Sequence, residues 1–512
     1  MEIAIRTPDA VTIAIYVLAM AAAGVYFTRF NRTTEQFFLG DRSFSGWVIG
    51  LSMMGTIVSS ATFLALPAAA YVLDWRQLSV NLVLPFVAVV AVIVIIPFFR
   101  RGKMTSAFEY LGLRYGQVPR LYGTLSFVTL QIIRMAQVLF LVSLPIQFLT
   151  GAPIHWVIIG VGAFIAFYTI AGGITAVVWT DVVQAIILML GGILCFVVMA
   201  FDLPGGMQQI LRVGAEEGKF SLGSFDWDLA ERTFWTVAIL GVINWLGIYS
   251  GDQNMVQRYI AARSLREARK ATIIFSVIAL PIWTSFFFVG TSLFVYYQTF
   301  PDSAVLEMDA DQVLPYFILT EVPVVLAGLI VSAVMAAAMS SLDSGINSIS
   351  TVTVTDLLKP YLARNRDDRF YLLAARFIAG GVGALVVGIA IVFSLIDKES
   401  MNDVSLIVTS VFGGCLMGLF LMGFFTRRVD GVSAAIAMAL AILFNVYLGL
   451  GLLGWLPDVW TLGVHSYWVG GLVNGAFFVL AYGISFVRRK PQPNLEGLTV
   501  WTMSSSGDRR QA

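Results

Sequence analysis

The sequence predicts an all-α integral membrane protein of about thirteen transmembrane helices, built on two five-helix repeats of opposite topology. Three observations predict it. Of 512 residues, 58% are hydrophobic and 12% charged, more apolar surface than a water-soluble core absorbs. Apolar runs long enough to cross roughly 30 Å of hydrocarbon recur along the chain, bounded by charge, Gly or Pro. Two of these runs, five spans apart, are interrupted by small and polar residues. The composition excludes a soluble enzyme. A net charge of +1 offers no field for nucleic acid, and Cys195 and Cys415 lie in apolar runs, not in a disulfide framework.

The spans are expected at roughly 10–28, 46–72, 78–98, 121–149, 154–170, 177–201, 234–250, 272–297, 324–355, 371–396, 403–425, 432–454 and 466–486. The first precedes many others and reads as a retained anchor, not a cleaved signal. Loops after odd-numbered spans, with the C-terminal tail, carry about two dozen basic residues, among them Arg114, Arg120, Arg258, Arg263, Arg269 and Lys270; the other side carries about half a dozen. That excess puts the tail in the cytoplasm and the N-terminus outside, in a multi-pass protein of the plasma (inner) membrane whose surroundings are the lipid bilayer. The chain divides into an N-terminal span and first cytoplasmic loop (1–45), a first repeat of spans 2–6 (46–201), an external loop that can form a short amphipathic cap (202–233), a second repeat of spans 7–11 (234–425), and two peripheral spans with a tail (426–512). From Lys490 onward the tail is Pro, Ser and charge rich and is expected to be disordered.

The second span, GWVIGLSMMGTIVSSATFLALPAAAY, carries Gly55, Thr56, Ser59, Ser60 and Thr62 midway and Pro67 beyond them. Such residues let a helix unwind and turn its carbonyls toward a cavity or an ion; they equally allow intact helices to pack closely. The seventh span carries Asn244, Gly247, Ser250 and Gly251 in a similar interruption. Interrupted helices at matching positions of inverted repeats point to a transporter's binding site. The ninth span holds Ser340, Ser341, Asp343, Ser344, Asn347, Ser348 and Thr351, several at three- and four-residue steps, so an oxygen-rich stripe runs along one helical face. Hydroxyls, carbonyls and one carboxylate replace the hydration shell of sodium without overbinding it, a reading that outweighs back-bonding of each serine to its own helix.

Two more charges lie deep. Asp181 opens the sixth span, either facing the same cavity as an ion ligand or resting in headgroup water at a helix N-terminus. Arg134, flanked by Gln131 and Gln137, needs a partner at membrane depth, either a structural Asp or a substrate carboxylate. No phosphate-binding loop, HExxH or GxSxG occurs, and His155 and His465 are the only histidines, so ATP hydrolysis, intramembrane proteolysis and a histidine metal cluster are not expected.

The runs GGITAVVWTDVVQ, AAAMSSLDSGINSISTVTVTD and DQNMVQRYIAAR together resemble the sodium/solute symporter family, in order and spacing over nearly the whole chain. The resemblance implies a LeuT-type 5+5 inverted repeat and a first sodium site made by the carbonyls of Gly55, Val58 and Ala337 with the hydroxyls of Ser340 and Ser341. A second sodium, used by some members, would involve Asp181, Ser340, Asp343 and Ser344. Asp343 stands where several relatives have Ser or Ala, which either strengthens that site or makes it proton-linked. The stretch SSATFLALPAAAY lacks the acidic and amide residues of sugar-carrying members. Arg134 stands where the sialic-acid branch is similar, with an Arg for the substrate carboxylate; Ser59, Ser60, Thr62, Gln77 and Asn81 would then bond hydroxyl or amide groups. Ile57 departs from the hydroxylated residue of that branch. Tyr249 is the expected aromatic gate, or else a packed interface tyrosine.

The expected activity is sodium-coupled secondary active import of a small polar organic solute by alternating access, with one or two sodium ions, no catalysis and a monomer as the working unit. A carboxylate such as sialic acid or a related acid is the favoured solute. A neutral sugar and a small monocarboxylate or amino acid are the alternatives within this class. Outside it stand a sodium channel, which would pass current without substrate, and a membrane sensor with vestigial transport.

Overall fold

A computed structural model describes residues 6–27, 32–101, 104–228, 231–395, 413–452, 454–463, 465–488 and 495–502. Most of the expected eleventh span before residue 413, and the tail beyond residue 502, lie outside the described residues. Ten helices among the described residues are long and apolar enough to cross a membrane, a bent pair passes with them, and Ile154–Phe167 and Leu416–Phe425 are shorter apolar helices.

In chain order the helices are α1 (Thr7–Phe27), α2 (Thr34–Leu39), α3 (Gly46–Ile57), α4 (Ser60–Val72), α5 (Arg76–Arg100), α6 (Ala107–Tyr115), α7 (Gln117–Thr150), α8 (Ile154–Asp202), α9 (Gly206–Glu216), α10 (Phe234–Gly251), α11 (Gln253–Ala261), α12 (Leu265–Thr299), α13 (Ala310–Thr320), α14 (Leu326–Val352), α15 (Asp368–Leu395), α16 (Leu416–Phe425), α17 (Gly431–Leu452) and α18 (Val469–Arg488). The expected fifth and sixth spans are two arms of α8, turned at Gly173, whose φ of 54° and ψ of −164° a side-chain-bearing residue rarely adopts. Residues 206–216 form a short helix, α9, in the loop after α8, with Ile210 and Gly214 buried and Arg212 exposed.

The second span is broken. Helices α3 and α4 meet at 56° around Val58 and Ser59, both extended (φ −81°, ψ 101° and φ −103°, ψ 177°). The seventh span breaks later than its composition suggested. Asn244 and Gly247 sit in regular helix, and the chain turns extended only at Asp252 (φ −80°, ψ 113°). Beyond it the segment expected as cytoplasmic loop is a second half-helix, α11, all nine residues of which are buried. Arg258 therefore does not belong to a loop, and neither does Arg114, buried and donating to the carbonyls of Val429 and Thr426 at 2.9 Å each. The sequence carries no signal separating a polar stripe that faces water from one that faces a polar core.

The hub is α14. Every residue from Ile330 to Val352 is buried, and its largest interface is with α8. Small residues make that approach possible: a Cβ on Gly191 of α8 would stand 2.4 Å from the Ala333 methyl of α14. Helices α3, α4 and α7 close around the same hub, and α12 packs along both α3 and α4, so the broken second span is held between α12 and α14.

Candidate functional site

At the break the last turn of α3 loses its helical partners, which frees carbonyl oxygens. Two hydroxyls of α14 take them up. Ser340 Oγ donates to the Gly55 carbonyl at 2.7 Å and Ser341 Oγ to the Thr56 carbonyl at 3.2 Å. The same hydroxyls reach the Ala337 carbonyl at 3.1 and 3.3 Å. Oxygens of Gly55, Ala337, Ser340 and Ser341 thus share one buried spot between two helices distant in sequence, and Val58 stands at the extended turn beside it. A side chain at Gly55 would crowd this spot, because its Cβ would lie 3.0 Å from the Asp181 carbonyl. Hydroxyls rotate, so these two can turn lone pairs toward a small hard cation with no backbone change.

One turn deeper lies a charged cluster. Asp181 is fully buried, which removes the headgroup alternative for it. Its Oδ2 accepts from Ser52 Oγ at 2.6 Å and from Thr56 Oγ1 at 3.4 Å, and faces the guanidinium of Arg258 at 2.7 Å. Arg258, also fully buried, donates further to Ser52 Oγ (2.8 Å), Ser344 Oγ (2.6 Å) and the Asn254 carbonyl (2.7 Å). Asp343 accepts from Ser344 Oγ at 3.4 Å and from Thr180 Oγ1 at 3.5 Å.

Two contacts bear on the expected grouping of Asp181, Ser340, Asp343 and Ser344. Ser340 bonds to the α3 carbonyl, not to this cluster, and a guanidinium sits between Asp181 and Ser344. The physical reason is that a carboxylate taken out of water is held by an opposite charge. Two carboxylates and one guanidinium still sum to one negative charge, and Asp181 Oδ1 is buried without a hydrogen-bond partner. An orphaned carboxylate oxygen in a cluster of net negative charge fits a monovalent cation.

The rest of the oxygen stripe is filled by protein. Gln257 of α11 donates to Asn347 Oδ1 at 2.9 Å and Thr351 Oγ1 at 3.1 Å, and accepts from Ser348 Oγ at 3.0 Å. Those three positions of α14 lock α11 in place and are not free for an ion.

Arg134 of α7 lines a cavity at the break, bordered by Thr56, Ile57, Gln131, Val138 and Ser341, so the cavity touches the first oxygen group directly. Ser60 points its hydroxyl at the Val138 carbonyl, 3.4 Å away and one turn from Arg134. Ser59 is buried at the break, and Thr62 Oγ1 accepts from the Ser59 amide at 3.4 Å, holding the start of α4. None of Ser59, Ser60, Thr62, Gln77 and Asn81 lines this cavity. Gln77 and Asn81 lie at the start of α5, which packs on α10 through Val80, whose carbonyl accepts from Trp245 Nε1 at 3.2 Å. Tyr249 is fully buried, 3.4 Å from Ser276 Oγ and packed near Trp245, the surroundings of an interface tyrosine.

Sequence reasoning missed Ser52, Thr180, Asp252, Asn254, Gln257 and above all Arg258. A signal existed: polar residues at 253, 254, 257 and 258 recur at helical spacing.

Residues 37–441 match the sodium:solute symporter family. The sodium/sialic acid symporter SiaT of Proteus mirabilis is 32% identical over 431 residues, covering 84% of this chain and 86% of that protein. The human sodium-coupled monocarboxylate transporter 1 is 30% identical over 451 residues, 86% of this chain and 73% of that one. A solved substrate-bound, outward-open Na+-coupled sialic acid symporter, for which a novel Na+ site is described, superposes with a TM-score of 0.86 at 28% identity, covering 94% of this chain and 98% of that one. The helical architecture is thus LeuT-type, and sodium is the coupling ion. With four-fifths of its length matched and its broken helix facing an oxygen-lined partner, this multi-pass membrane chain belongs to the sodium:solute symporter family, whose members are transporters and not enzymes.

Proposed function

We propose that this symporter imports a small organic acid, sialic acid or a related carboxylate, with Arg134 holding the carboxylate. The observation that carries the reading is the guanidinium of Arg134 in the cavity at the α3–α4 break, beside Ser341 of the first oxygen group. Sodium at Gly55, Val58, Ala337, Ser340 and Ser341 ties α3 to α14 and completes the cavity; its loss on the inner side loosens that contact and frees the substrate. A second sodium beside Asp181, Asp343 and Ser344 would neutralise the charged cluster.

Energetics favour two ions. A sodium falling through about 100 mV gains roughly 2.3 kcal/mol, and a tenfold gradient adds about 1.4. Two ions with one monovalent anion move one net charge, giving about 5 kcal/mol, or roughly a 5,000-fold anion gradient at the limit.

The remaining parts of the reading are about thirteen spans, repeats at 46–201 and 234–425, an external N-terminus, a cytoplasmic C-terminus, a plasma-membrane location and a monomer in the bilayer. The basic residues flanking the spans support the orientation. The similarity to a monocarboxylate transporter favours a smaller acid as second reading, since Arg134 serves either carboxylate. Uptake into sodium-free proteoliposomes, with sodium added outside, tests both: Arg134→Ala is expected to abolish sodium-driven uptake of sialic acid. Retained acid uptake in that variant refutes the assignment, and block of wild-type uptake by acetate but not by sialic acid selects the smaller solute.

A further inference from the structure

We propose that Asp252 competes with the substrate carboxylate for Arg134, its own charge facing the guanidinium across one cavity. The inference rests on the reading of Arg134 as the carboxylate anchor. Arg134 and Asp252 line one cavity and, among the described residues, are the only charged side chains that line it. Among the described residues no ion pair within 4.0 Å joins the two, so a carboxylate reaching Arg134 has no direct salt bridge to break.

The position of Asp252 gives this competition a consequence. It is the extended residue between α10 and α11, and one of its oxygens accepts the Asn254 amide at 2.8 Å, capping α11. Its other oxygen is outside that cap bond. Asn254 also lines the cavity, with its Oδ1 buried and unpartnered, so the α11 start presents an unused acceptor to the same space. A substrate carboxylate on Arg134 meets repulsion from Asp252 at the hinge of α11. Binding is weakened and release hastened by one charge placed where the half-helix pivots.

Asp252→Asn isolates that charge, because Asn caps a helix as well as Asp does. Titration calorimetry in saturating sodium, with sialic acid and its methyl ester as probes, is expected to show sialic acid binding tightened roughly 2- to 10-fold in the variant. Ester affinity stays unchanged, since the ester carries no charge for Asp252 to repel. In proteoliposomes KM falls and the maximal rate falls with it, a split that a merely structural lesion does not produce. In an Arg134→Ala background, Asp252→Asn leaves weak residual binding where it was. Unchanged or weaker sialic acid binding in Asp252→Asn, or equal shifts for acid and ester, overturns the proposal. If Arg134→Ala abolishes acid binding in those cases, the anchor reading survives alone; if wild-type protein binds acid and ester alike, both fail.

Discussion

Arg258→Met tests the buried cluster most severely. The guanidinium is inaccessible to water and makes four hydrogen bonds or ion pairs of 2.6 to 2.8 Å, to Ser52, Asn254, Asp181 and Ser344. Removing it leaves Asp181 with only the hydroxyls of Ser52 and Thr56, in a cluster that has gone from one net negative charge to two. Breaking a buried pair from one side costs about 3–5 kcal/mol, because the stranded charge keeps its desolvation penalty and loses its partner. Taking away the second charge relieves most of this. Arg258→Met with Asp181→Asn is therefore expected to recover at least half the loss, a coupling of about 2 kcal/mol. Chemical unfolding in mixed micelles, on wild type, both single variants and the pair, measures the cycle. The extra negative charge also makes sodium stabilise Arg258→Met more than it stabilises wild type. A single-variant cost below about 1 kcal/mol, or a pair equal to the sum of the singles, refutes the reasoning, since either shows that the two charges do not depend on each other.

Other outcomes follow from the same geometry. Ser340→Ala removes a hydroxyl shared by the Gly55 and Ala337 carbonyls and is expected to weaken sodium dependence of uptake about tenfold, whereas Ser344→Ala lowers the sodium Hill coefficient toward one; an unchanged coefficient removes the second site. Lys219 donates to the carbonyls of Tyr71 and Leu73 at 2.6 and 3.1 Å and stands 3.9 Å from the centre of the Phe294 ring, tying the far end of α4 to α12. Lys219→Ala is expected to forfeit about 1.5–3 kcal/mol of that tie and shift spin-label distances between α4 and α12 toward a wider state; identical distance distributions would contradict it.

What the linear order determined is everything set by counting and local chemistry. Apolar runs of bilayer length mark the spans, and small and hydroxylated residues in the second one permit either a break or close packing of an intact helix; the fold decided for the break. The stripe on α14 was legible: three- and four-residue steps define a face wherever the helix is placed. Which partner each face meets was decided by tertiary structure alone. Ser340 finds the Gly55 carbonyl 285 residues away, while Asn347, Ser348 and Thr351 on the same stripe are taken by Gln257. Arg258 looked like one more loop cation until α11 folded back into the core beside Asp181. A side chain's type is written in the chain, but its surroundings depend on how distant helices pack, and at membrane depth those surroundings decide whether an oxygen or a charge serves an ion, a substrate or another side chain.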